Sequence, residues 1–242
     1  GLGDVYKRQQ HGFARDSDFI CTDITDTSLS FVLKSSEETL NVYPFAFALK
    51  ITYTLKKHDL EVCWEVVNND SETMYFTIGG HPAFRVPVRE GESQSDYRLA
   101  FEGLDTLTYL LIDTSVGTVL ADEPHTLSLE NGTCSIAPHM FDKDALVFDN
   151  GQIQKAGILF PDGTPYLTLT SEGFPNFGIW SVPGAPFVCL EPWMGRCDDC
   201  GFEKPLSEKA NINVLKPDEE FIKSYQTVSY THLRAHETSQ DL

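Results

Sequence analysis

Apolar residues along this chain recur at every second position far more than at helical spacing. From Phe45 to Leu55 the large side chains Phe45, Phe47, Leu49, Ile51, Tyr53 and Leu55 alternate with smaller or polar ones, which places them on one face of a pleated strand. Ser28–Leu33, Leu60–Asn68, Met74–Ile78, Tyr97–Phe101 and Leu146–Phe148 are rich in β-branched, aromatic and aliphatic residues and read as further strands. Polar breaks separate them at hairpin intervals: Lys56-Lys57-His58-Asp59, Asn68-Asn69-Asp70-Ser71 and Pro161-Asp162-Gly163. Such short breaks predict antiparallel connections rather than βαβ crossovers. Helical periodicity is hard to find, and no internal repeat or glycine-rich linker interrupts the central region. The pattern predicts an all-β protein, a large antiparallel β-sandwich formed by one domain over residues 10–227.

Composition narrows the partners. The formal net charge is -18 across 242 residues, which disfavours nucleic acid and anionic membrane surfaces, because both are bound through clustered Lys and Arg. A small neutral ligand fits better. No stretch approaches the roughly 20 apolar residues of a membrane helix, and six cysteines without a compact disulfide framework read as reduced thiols in a cytoplasmic protein. Cys197 and Cys200 have CxxC spacing, but no second pair accompanies them, so no metal site is expected. Residues 1–9 and 228–242 carry no periodic apolar pattern and read as non-native tails outside the domain.

Two segments carry candidate chemistry. In Gly79-Gly80-His81-Pro82, a strand ends in two glycines that permit close approach, and the proline fixes the exit. His81 there either faces a cleft or is satisfied by a neighbouring carbonyl. Glu191 follows the apolar run Phe187-Val188-Cys189-Leu190. A carboxylate carried to the end of a buried strand is desolvated and its pKa rises, which suits a general base near neutral pH. The alternative is a glutamate pointing into water. Trp64 reads as core, whereas Trp180 and Trp193 read either as platforms for a sugar face or as packing beneath a sheet, the latter favoured.

HGFARD at His11–Asp16, GGHPAF at Gly79–Phe84, FGIWS at Phe177–Ser181 and CLEPWMG at Cys189–Gly195 together resemble the aldose 1-epimerases, in particular their LacX-like branch of galactose mutarotase-related proteins. Four motifs in order are far more specific than any one alone. The resemblance spans residues 10–227 and implies a β-supersandwich whose concave sheet holds a free aldose and interconverts its anomers, with no cofactor and no metal. It implies Glu191 as the base at O1 and His81 as the acid at O5. It implies His11 as a hydrogen-bonding partner of the ring, Arg15 as a contact to a hydroxyl or charged substituent, and Asp144 as the acidic residue that binds hydroxyls, with Asp142 and Asp149 as neighbouring alternatives. The family also places an arginine upstream of the HGFAR segment, and this chain has no residue to match it, so the opening strands are expected to be missing. Two other readings stand beside the mutarotase: a hexose-6-phosphate 1-epimerase, and a carbohydrate-binding protein without catalysis.

Overall fold

The computed structural model of the chain describes residues 11–230. Two antiparallel sheets face each other. The wider has nine strands in the order Ile20–Ile24, Ser28–Lys34, Phe47–Lys56, Asp59–Asn68, Glu220–Ser229, Pro165–Thr170, Lys155–Leu159, Arg98–Ala100 and Thr133–Ser135. The narrower runs Leu146–Phe148, Asn176–Trp180, Phe187–Met194 and Ile78–Gly79, with Ala83–Arg85 also paired to Phe187–Met194. The two polar breaks at residues 57–58 and 160–164 close tight hairpins, as the spacing predicts. Glu220–Ser229 pairs on both sides through Val228, so ordered strand continues past the predicted boundary at residue 227. Residues 1–9 and 231–242 of the predicted tails lie outside the described residues.

The core fills the space between the sheets. In Asp59–Asn68, Val62, Trp64 and Val66 point inward at every second position; from the other side Phe177, Ile179, Val188 and Leu190 join Val62 and Trp64 in one cluster, while Val66 packs with Leu33, Phe47, Leu49, Met74 and Leu215 in a second. Trp64 lies edge-on to both Phe174 and Tyr225. Each such fully buried apolar side chain contributes about 1.5–3 kcal/mol. The alternation in Phe47–Lys56 weakens toward its end: Phe47 and Leu49 are buried, while Tyr53 and Leu55 are exposed. Nine strands overhang five, so the far end of a long strand in the wider sheet has no opposing sheet above it.

The structure departs from the pattern reading in three places. The polar break at residues 68–71 closes no hairpin: Asp59–Asn68 pairs with Phe47–Lys56 and Glu220–Ser229, and the strand after the break pairs with Asn213–Leu215. Glu37–Val42 is a short helix, held at its start by a reciprocal capping box in which Thr39 N–H donates to Ser36 Oγ and Ser36 N–H donates to Thr39 Oγ1. Six residues are too few for helical periodicity to register. The predicted strand Met74–Ile78 is also interrupted at Thr77: Met74–Phe76 pairs with Asn213–Leu215, whereas Ile78–Gly79 pairs with Phe187–Met194. This change of partner carries Gly79, Gly80 and His81 onto the narrower sheet.

A charged cluster ties the end of the narrower sheet to the loop that follows it. The Arg196 guanidinium donates to both carboxylate oxygens of Asp149 and also pairs with Asp199, while Lys209 pairs with buried Asp198. Cys197 and Cys200 belong to this loop, and all six thiols are unpaired. Removing one member of a buried ion pair strands the other. Arg196→Ala is therefore expected to lower stability by about 3–5 kcal/mol, read as a shift in the urea midpoint at unchanged slope. A shift worth less than about 1 kcal/mol would mean that water replaces the guanidinium without penalty.

Candidate active site

The strand Phe187–Met194 organises the site. Gly79 pairs with Trp193 and Ala83 pairs with Cys189 in one register, so His81, midway between them, falls opposite Glu191. On the other flank Gly178 pairs with Glu191 and Trp180 with Cys189. Directly paired residues in an antiparallel ladder project to the same face. Cys189, Glu191 and Trp193 therefore share a face with His81 and Trp180, while Leu190 and Ile179 project to the core. The backbone fixes this arrangement from both ends: Gly80 N–H donates to the Pro192 carbonyl at 2.9 Å and Leu190 N–H to the Pro82 carbonyl at 3.3 Å.

His81 Nε2 stands 3.5 Å from Glu191 Oε1, and their side chains are 39% and 6% exposed. One group is reachable from solvent and the other is sealed. Burial pushes the Glu191 carboxyl up to about 8, against a hydrogen bond from the Trp193 side chain that lowers it and with the nearby Asp144 charge adding to the rise. His81 moves the other way, lowered by burial and then by the neighbouring His11 and Arg15, with a backbone hydrogen bond opposing. Both shifts share their largest cause: a desolvated pocket disfavours the carboxylate and the imidazolium alike.

The remaining predicted residues surround this pair unequally. The His11 ring lies 5.3 Å from the His81 ring, and its pKa is lowered by burial and by Arg15, with Asp16 and Asp144 opposing. Asp144, in the left-handed backbone region at φ 77°, accepts from Ala145 N–H and lies within electrostatic reach of both His11 and Glu191. The two alternative acids are engaged elsewhere: Asp142 with His139 at 2.8 Å, and Asp149 with Arg196 and Asn176. Arg15 is exposed and pairs with its neighbour Asp16 at 3.1 Å, so its contact with the site is through its charge. A neighbouring cleft, lined by Asp113, Glu123, Asp142, Lys143, Asp144 and Trp180 but by neither His81 nor Glu191, adjoins the pair through Trp180 and Asp144. Trp180 stands edge-on to His81, ring centres 5.7 Å apart.

Pattern reading misses two features. Trp193 packs, as favoured, but on the face that carries Glu191: its indole lies across that face and against the buried cluster Leu110, Val119 and Val147. A Cβ on Gly79 would come within 2.5 Å of Trp193 Cδ1, and one on Gly178 within 2.3 Å of Trp193 Cζ2. Two glycines on the flanking strands thus make a bed for the ring, whose side chain hydrogen-bonds Glu191. The sequence signal was present in the glycines of GGHPAF and FGIWS, but only the cross-strand register shows that one indole needs both. The second feature is Cys189, whose thiol burial pushes up to about 12 with help from Glu191. His81, Cys189 and Glu191 each bring a donor atom within 4.8 Å of the others, and this trio has the side chains to hold a metal ion.

An antiparallel sandwich with a buried carboxylate opposite a histidine on its narrower sheet defines a class already suggested by the four motifs. The aldose 1-epimerase family model matches residues 3–210, and the chain belongs to that family. It is similar to the galactose mutarotase related enzyme of Lactobacillus acidophilus, with 30% identity and a TM-score of 0.84 over 92% of this chain and 74% of that one. A galactose mutarotase-like protein of Lactobacillus casei matches at 30% identity and a TM-score of 0.78, over 90% and 75% of the respective chains. Plasmid-encoded LacX of Lactococcus lactis subsp. lactis is 29% identical over 220 residues, 90% of this chain and 73% of its own length. No helix among the described residues is long and apolar enough to cross a membrane.

Proposed function

We propose that this chain interconverts the α and β anomers of an unmodified hexose, with Glu191 and His81 exchanging protons with O1 and O5. The observation that carries the reading is the 3.5 Å approach of a sealed carboxyl to a solvent-reachable imidazole. Opening a pyranose requires loss of the O1 proton while the ring oxygen gains one, and a base and an acid on one surface perform both halves together. Glu191 as carboxylate takes the O1 proton, His81 as imidazolium delivers one to O5, and the C1–O5 bond breaks to an aldehyde. Rotation about C1–C2 presents its other face. Reclosure with the roles exchanged, His81 removing the O5 proton and Glu191 returning one to O1, gives the other anomer.

The raised carboxyl and lowered imidazole favour the shared proton on Glu191. Sugar hydroxyls donating to the carboxylate favour its charged form, and the proton then passes to His81. His11 and Asp144 serve as hydroxyl partners that hold the ring in place, and Arg15 contributes positive charge at the rim. No step calls for a cofactor. The charge around the pair supports a free sugar over a phosphorylated one: in the adjoining cleft Asp113, Glu123, Asp142 and Asp144 outnumber Lys143, Arg15 at the rim is already paired with Asp16, and a phosphate dianion needs the reverse balance.

Polarimetry on freshly dissolved α-D-galactose and α-D-glucose, with the corresponding 6-phosphates in parallel, tests this. Expected is faster decay of optical rotation for a free hexose and little for the phosphates. Acceleration confined to the phosphates would overturn the substrate assignment. Binding of sugar with no acceleration for any substrate would leave a carbohydrate-binding role.

A further inference from the structure

We propose that His81, Cys189 and Glu191 form a binding site for a divalent zinc ion, which occupies the sugar site and excludes the sugar. That zinc stops turnover rests on the reading above; that zinc binds does not. Cys189 is a buried nucleophile for which anomer exchange has no use. Alternation along Phe187–Met194 places it beside Glu191 on the same face, with His81 opposite.

The spacing fits the ion. Tetrahedral zinc, bound to nitrogen and oxygen at about 2.0–2.2 Å, holds those two ligand atoms about 3.4 Å apart, and His81 Nε2 lies 3.5 Å from Glu191 Oε1. A thiolate at about 2.3 Å belongs roughly 3.6 Å from either, and all three donors already lie within 4.8 Å of one another. Closing the remaining gap, roughly 1 Å, takes only side-chain rotation. One thiolate, one imidazole and one carboxylate make a set of the kind zinc selects, leaving a fourth position for water. His81 is the exposed member and gives the ion its route in. Asp144 adds negative charge beside Glu191, and binding releases the thiol proton to solvent.

Zinc chloride and, as a spectroscopic substitute, cobalt(II) chloride are titrated into the purified chain without sugar, for the wild type and for Cys189→Ala and His81→Ala. The wild type is expected to bind one zinc per chain and to develop a thiolate-to-cobalt charge-transfer band. Each variant should bind at least about tenfold more weakly, and the cobalt band should be absent from Cys189→Ala. Zinc should raise the apparent KM for sugar, with chelator restoring the rate. A folded Cys189→Ala chain that binds zinc as tightly as wild type, or a wild-type cobalt complex with no thiolate band, overturns the proposal. Circular dichroism identifies a misfolded variant, in which case Cys189→Ser replaces Cys189→Ala, because five other free thiols mean that a wild-type band is assigned to Cys189 only by its loss from a folded variant. Zinc binding in a chain without anomer-exchange activity would keep the site and sink the enzymatic reading.

Discussion

Glu191→Gln is expected to reduce the polarimetric rate by about 10²–10⁴-fold, the contribution typical of one positioned acid–base group, while leaving sugar binding within a few-fold of wild type. Glutamine keeps the length and shape of the side chain, and its carbonyl oxygen still accepts from the Trp193 indole, so the floor of the site stays in place. What it loses is the capacity to take a proton from O1. The loss should therefore appear in kcat rather than KM. Because the side chain is 6% exposed, replacing a carboxyl that burial already drives toward its neutral form by a neutral amide leaves no uncompensated charge, and thermal stability should hold or rise slightly. Sugar binding measured by calorimetry or tryptophan fluorescence separates the two readings of the cleft. A variant with full turnover would show that Glu191 is not the base.

How much of this was legible beforehand follows from the range of each physical signal. Period-two alternation is local, and it revealed Asp59–Asn68 and the core position of Trp64 directly. The four motifs marked His81 and Glu191, which lie far apart in sequence, but no local rule could say that they stand opposite each other. That follows from a register, Gly79 with Trp193 and Ala83 with Cys189, set by pairing between distant segments. The break at Thr77 was invisible for the same reason: Met74–Ile78 is uniformly strand-like, and its division between two sheets depends on what lies alongside. The small helix Glu37–Val42 hides differently, since its support is a capping box and not a stripe. Asp144 illustrates the limit of motif matching. Three acids lie within eight residues, and they separate only when His139 and Arg196 are seen to engage Asp142 and Asp149.

The bed beneath Trp193 yields the second large effect. Gly178→Ala adds one methyl group, yet that carbon would lie 2.3 Å from Trp193 Cζ2 and 2.5 Å from Cη2, more than 1 Å inside ordinary contact. The backbone at residue 178 is paired on both flanks, to Val147 and to Glu191, so the indole moves rather than the strand. Movement of the ring withdraws its N–H from Glu191, the carboxyl loses the one hydrogen bond that favours its charged form, and its oxygen is free to turn away from the sugar. A misplacement of about 1 Å at a reacting group costs on the order of 10²-fold, so Gly178→Ala should fold and bind sugar but turn over about a hundredfold more slowly. Trp193→Phe removes the same donor by a different route. If the defect runs through the indole, the double variant should be little worse than either single one, because both interrupt one interaction. Multiplied losses in the double variant, or a Gly178→Ala chain with wild-type kcat, would show that Trp193 only packs and does not hold the carboxyl to its task.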